Sequence, residues 1–102
     1  MEQQLDYQEL FIEFINTFKD EKGKLKYQQQ VNEMIGFRKK SLIVDFQDLF
    51  TFNEKLANDL INNPKSLLKL LEGQLLEYIS ELDPNYPQEV HNVNIRLTNL
   101  PR

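Results

Sequence analysis

The sequence predicts a mainly α fold: a four-helix bundle with one short strand at 41–47 and a C-terminal strand at 92–98. Three observations lead there. Apolar residues recur with the 3.6-residue period of a helix over four separate stretches. Only two stretches switch to a period of two. Between these stretches stand the breaking residues: Gly23, Gly36, the run Asn62-Asn63-Pro64, and Asp83-Pro84.

The first helix is marked by Tyr7, Leu10, Phe11, Phe14, Ile15 and Phe18, which fall on one stripe. Asp6 followed by Glu9 is a start signal, because a carboxylate there can accept from the free amides of the first turn. Such a stripe serves as core. Gly23, in "DEKGKLK", closes the segment as a loop. A second helix carries Tyr27, Val31, Met34 and Ile35, with Gly36 near its end. Arg38, Lys39 and Lys40 follow where cations complement the negative C-terminal end of a helix, worth a few tenths to about 1 kcal/mol each.

From Ser41 the pattern alternates. Leu42, Val44 and Phe46 point one way and Ile43, Asp45 and Gln47 the other, as in a half-buried strand. Phe50 and Phe52 are expected as anchors under a turn. Asn53 caps a third helix with the stripe Leu56, Ala57, Leu60 and Ile61. Asn63 and Pro64 open the fourth, where the missing proline amide costs nothing. That helix is central: Leu68, Leu71, Leu75, Ile79 and Leu82 form a stripe widened by Leu67, Leu70, Leu76 and Tyr78. "PNYPQEV" (84–90) reads as a linker, and Val93, Ile95 and Leu97 alternate beyond it. One strand needs a partner. The second strand is therefore expected to pair with Leu42–Phe46, to mark a domain border, or both. The domain reading is a helical subdomain over 1–83, a linker over 84–91 and the first strand of a further domain over 92–102.

The chain has 102 residues, no cysteine and a net charge of −4. That is one domain with a modest core. Disulfides and thiolate metal sites are excluded within it, which suits a reducing cytosol or a thermophile. No apolar run approaches the ~18 residues of a membrane span, so no membrane role is expected. The charge is uneven. Residues 1–18 carry Glu2, Asp6, Glu9 and Glu13 and no cation, whereas 19–40 hold Lys19, Lys22, Lys24, Lys26, Arg38, Lys39 and Lys40 against Asp20, Glu21 and Glu33. A basic island thus sits in an acidic domain, as an anion-facing surface would.

Chemistry is otherwise missing. "FKDEKGKL" has Phe18 where a phosphate-binding loop needs its first glycine and Leu25 where it needs a hydroxyl. His91 is the single histidine and cannot anchor zinc by itself. Glu72, Glu77 and Glu81 fit a solvated helix face better than an acid–base pair. No catalytic, cofactor-binding or metal-binding residue is expected.

The order of segments resembles the N-terminal end, subdomain A, of archaeal minichromosome maintenance (MCM) replicative helicases. The stretches that carry the resemblance are "SLIVDFQDL" after the basic run, "FNEKLANDLINNP", and the strand ending "RLTNLP". They span essentially the whole chain. The resemblance implies a non-catalytic regulatory segment of a cytoplasmic, chromosome-associated homohexamer, an ATP-dependent DNA helicase. It implies that the strand at 92–98 leads into an oligonucleotide-binding barrel. The ATP, Mg and Zn sites of the parent would all lie beyond Arg102. DNA and replication-initiation proteins would be partners of the full ring, with the seven cations as a DNA-facing surface. Residues 1–102 alone are expected to be monomeric, with strand exchange through 92–98 as the alternative association. Composition by itself supports a second function class, a small helical protein-interaction module using its acidic faces.

Overall fold

The computed structural model describes residues 6–101. Its elements in chain order are α1 (Tyr7–Thr17), α2 (Lys26–Phe37), β1 (Ser41–Asp45), α3 (Phe46–Phe52), α4 (Glu54–Asn62), α5 (Pro64–Leu82), α6 (Tyr86–Glu89) and β2 (Asn94–Thr98). The fold is mainly helical with a two-stranded sheet. The expected helices are α1, α2, α4 and α5, and two short ones, α3 and α6, join them.

The first strand is shorter than the alternation suggests. It stops at Asp45, whose carboxylate accepts from the Gln47 amide at 2.8 Å and so caps α3. Phe46 continues the alternation into the core, but it does so as the first residue of a helix. Phe52 packs edge-on against Phe14, with ring centroids 5.3 Å apart, whereas Phe50 lies at the surface against Phe46. The second strand likewise begins at Asn94, with Val93 buried just before it. The stretch expected as a linker contains α6, and its Tyr86 is fully buried.

The two strands pair in parallel, Ser41 with Asn94 through Asp45 with Thr98. Parallel neighbours cannot be joined by a hairpin and need a long crossover. Here the crossover is α3 to α6. Both outer edges are blunted by side chains. Gln30 of α2 imitates a neighbouring strand, donating from Nε2 to the Ile43 carbonyl at 2.8 Å and accepting the Ile43 amide on Oε1 at 3.0 Å. The Tyr27 hydroxyl accepts the Asp45 amide at 3.0 Å. On β2, the Ile95 amide donates to a Glu72 carboxylate oxygen at 2.9 Å. Such capping covers part of the bare backbone on which foreign strands add, more of it on β1 than on β2.

The core is one cluster. Phe11, Phe14 and Ile15 of α1, Tyr27, Val31 and Met34 of α2, Leu42 and Val44 of β1, and Leu71, Leu75 and Ile79 of α5 all meet in it. Each such side chain contributes roughly 1.5–3 kcal/mol on burial. Helix α5 is rotated slightly from the expected stripe: Leu67 is buried and Leu68 only partly so, while Leu70 and Leu82 face solvent. Pro64 opens α5, but the Asn63 side chain makes no cap bond. Ile61 is exposed at the end of α4.

Tyr27 joins core to sheet, since its hydroxyl also donates to Asp48 at 2.7 Å. Burial, as the largest cause, pushes its phenol well above the ordinary tyrosine value. Tyr27→Phe therefore leaves the Asp45 amide without its acceptor. The expected cost is about 1–3 kcal/mol, measured by chemical denaturation, with helix content unchanged. A variant as stable as the parent would show that water replaces the hydroxyl.

Candidate functional site

The seven candidate cations fall into two groups at opposite ends of α2. Lys19, Lys22, Lys24 and Lys26 surround its start; Arg38, Lys39 and Lys40 follow its end. Twelve helical residues lie from Lys26 to Phe37, so the two groups are about 18 Å apart along the axis. They do not form one continuous patch.

The first group is built on a tight turn. Lys19 and Leu25 form an antiparallel bridge, and the Asp20 amide donates to the Lys24 carbonyl at 2.9 Å. Inside the turn the Asp20 carboxylate accepts the backbone amides of Lys22 at 2.8 Å and Lys24 at 3.0 Å. The Lys24 amide, first, holds this carboxyl below its ordinary value. Gly23 sits at φ +78°, a conformation that side-chain-bearing residues rarely adopt. With Asp20 turned inward, the side chains of Lys19, Lys22 and Lys24 are exposed. Lys26 lies closer in, 2.8 Å from Asp48 and over the Tyr27 ring at 5.3 Å from its centroid. A shallow depression of about 660 Å³ runs between these lysines and Asp48.

The second group divides. Arg38 ends α2 in the left-handed conformation, φ 54°, and its guanidinium is committed. One nitrogen, Nη1, donates to the Ile35 carbonyl at 3.3 Å and to Asp83 at 2.8 Å; Nε lies 3.1 Å from Glu89. The group also lies over the Tyr86 ring, 5.8 Å from its centroid. The Tyr86 hydroxyl in turn donates to the Lys39 carbonyl. Arg38 thus serves the helix end, as its sequence position suggests, and it also ties α2 to the end of α5 and to α6. Its bond to Asp83 is the main cause that holds the Asp83 carboxyl below its ordinary value. Lys39 and Lys40 remain exposed, and Lys39 Nζ stands 5.6 Å from the Phe37 ring centroid.

The remaining polar candidates are dispersed. Glu77, Glu81 and His91 are exposed, and Glu72 is occupied with the Ile95 amide. Among the described residues no group of three or more His, Cys, Asp or Glu could hold a metal ion, and no charged or polar side chain is buried. The described residues therefore do not fit zinc, which takes four His, Cys or carboxylate ligands in its structural sites. They also offer no phosphate loop for ATP. No helix among the described residues is long and apolar enough to cross a membrane. What the arrangement offers is surface: one basic turn, one basic and apolar corner, and the Arg38 tie from that corner to the end of α5 and to α6.

Comparison with known proteins agrees with the segment order. The chain is 46% identical over 99 residues to the minichromosome maintenance protein MCM of Saccharolobus solfataricus, covering 97% of this chain and 14% of that protein. It is 31% identical over 94 residues to the DNA replication licensing factor MCM2 of Arabidopsis thaliana, and 28% over 91 residues to the factor of that name from Xenopus tropicalis. In each of these the matched part covers 89% of this chain and 10% of the relative. The chain thus spans only a small portion of the relatives it matches. The MCM N-terminal domain family matches residues 8–99, from the first turn of α1 to the end of β2. On that match the chain belongs to the MCM N-terminal domain family.

Proposed function

We propose that this chain is the non-catalytic regulatory segment of a hexameric, ATP-dependent replicative DNA helicase, modulating DNA engagement and the coupling of the ring to its motor. The observation that carries this reading is the family match over residues 8–99, together with the 46% identity to an archaeal minichromosome maintenance protein. The parent would act on chromosomal DNA. Its nucleotide, magnesium and zinc would be held by residues outside this segment, since none of the usual ligand sets occurs here. In the same reading, β2 leads toward an oligonucleotide-binding barrel, and replication-initiation proteins are further partners. Nothing specific favours a free-standing interaction module.

The DNA-facing role falls to the turn at the start of α2. Lys19, Lys22 and Lys24 project from a backbone that Asp20 and Gly23 hold rigid, and Lys26 stands behind them. Exposed ammonium groups carried on a hydrogen-bonded turn suit phosphate contacts, which are independent of sequence and sensitive to salt. Around them the domain is acidic, so the isolated segment should bind DNA weakly if at all. Arg38 contributes no free cation to such a surface, because Asp83 and Glu89 hold it.

Replacement of Lys19, Lys22 and Lys24 by alanine in the full-length helicase is the test. DNA affinity should fall, and the slope of log affinity against log salt should drop by about 0.9 for each duplex phosphate that is no longer neutralised. All three side chains are exposed, so the melting temperature should hardly change. Unchanged affinity and slope would remove the turn from the DNA path.

A further inference from the structure

We infer that the corner formed by the end of α2 and the outer side of β1 is a docking site for an acidic peptide segment carrying one large apolar residue. The observation that sets this corner apart is Phe37, which is 72% exposed, more than any other large hydrophobic residue described. Ile43, on the strand beside it, is 49% exposed. Isolated exposed apolar residues need no explanation. Ile43 lines a groove of about 620 Å³ between α2 and β1 together with Gln30, Met34, Lys39 and Lys40, and Phe37 stands next to it, its ring centroid 5.6 Å from Lys39 Nζ. Gln30, Met34 and Phe37 are spaced i, i+4 and i+7, on one stripe of α2.

Charge decides the class of occupant. Lys39 and Lys40 are exposed, and no carboxylate lies within ion-pair distance of either among the described residues. Arg38, between them and the body of the fold, is neutralised by Asp83 and Glu89 and makes no claim on an incoming acid. Glu33 is the one carboxylate in the groove lining. Apolar Met34 and Ile43 in one groove with Lys39 and Lys40 fit an apolar anchor accompanied by Asp or Glu, the usual anatomy of a small interface with a hydrophobic centre and a polar rim. The partner does not add a strand. The Ile43 amide and carbonyl are already taken by Gln30, and the Asp45 amide by Tyr27. Recognition therefore runs through side chains in the groove.

Nucleic acid fits this corner less well than a peptide. Single strands bind on platforms of successive aromatic rings, whereas the groove is lined by no aromatic residue and Phe37 beside it is a single ring. The basic turn at the other end of α2 has the opposite character, with three exposed lysines and Phe18 only partly exposed.

The experiment is selection of random peptides displayed against the full chain. The selected peptides are then titrated into the isotope-labelled protein. Enrichment in Asp and Glu around one aromatic or aliphatic residue is expected, with amide shifts at Gln30, Met34, Lys40 and Ile43. Phe37→Ala should weaken the selected peptides about tenfold, as should Lys39→Glu with Lys40→Glu. These side chains are exposed, so the variants should retain the parent melting temperature. Peptides without acidic enrichment, binding indifferent to both variants, or shifts mapped elsewhere would each overturn the inference. So would a single-stranded oligonucleotide that binds this corner more tightly than the selected peptides.

Discussion

Phe14→Ala is expected to destabilise the domain by about 3–5 kcal/mol, the range for removing a buried aromatic ring from a packed core. Phe14 is completely buried, and four other rings surround it. Its centroid lies 4.6 Å from that of Tyr27, 5.2 Å from Phe18, 5.3 Å from Phe52 and 6.2 Å from Phe11. These rings join α1, α2 and α3, so the cavity opens where three elements meet and cannot collapse by moving one of them. A domain of this size commonly has about 5–15 kcal/mol of total stability, and the variant should be largely unfolded well below the parent's melting temperature. Thermal denaturation followed by circular dichroism measures this. Phe14→Leu, which keeps much of the volume, should recover more than half of the loss. Equal melting temperatures for the alanine variant and the parent would mean that the aromatic cluster is not the centre of the fold.

The same residue shows what can be read from a sequence. Phe14 is identifiable as core because α1 advertises its buried face through helical spacing, and local periodicity survives folding unchanged. Helices α2, α4 and α5 are legible in the same way. α3 is not, since Leu42, Val44 and Phe46 keep a period of two across the boundary. The signal that reveals it is Asp45, a capping residue whose carboxylate accepts the Gln47 amide. α6 has only four residues, too few for any period. The parallel register of Ser41 with Asn94 joins residues separated by four helices, which no local pattern encodes. The basic residues are visible as a composition shift, but their division is not. Whether a cation is free depends on what lies opposite, and the partners of Arg38 are 45 and 51 positions away in the sequence. Phe37 gives no local sign of its exposure either: it closes a helix by position, yet it is the most exposed large apolar side chain described.

Tyr86→Ala is expected to be the second severe substitution, again by about 3–5 kcal/mol. Tyr86 has no exposed surface, its hydroxyl donates to the Lys39 carbonyl, and the Arg38 guanidinium lies over its ring. Removing the ring leaves that carbonyl unpaired and frees α6, which connects α5 to β2. The damage should therefore reach the sheet, and amides of Ser41–Asp45 and Asn94–Thr98 should exchange faster than those of α1. Tyr86→Phe keeps the ring and deletes the hydroxyl, so its cost should be only about 1–3 kcal/mol. Arg38→Ala should weaken the same tie from the other side and, unlike either tyrosine variant, change its response to acid. The Arg38 bond lowers the Asp83 carboxyl below its ordinary value of 3.8. A carboxyl lowered by folding stabilises the native state above that ordinary value, and the contribution disappears as pH falls through the folded one. The parent should thus lose stability from about pH 4 downward, and Arg38→Ala should lose less over that interval while being weaker at neutral pH. Parallel acid titrations of the two proteins decide the point: curves that run parallel from neutral to acid pH would show that Arg38 holds α6 by packing on Tyr86 alone, without the carboxylate.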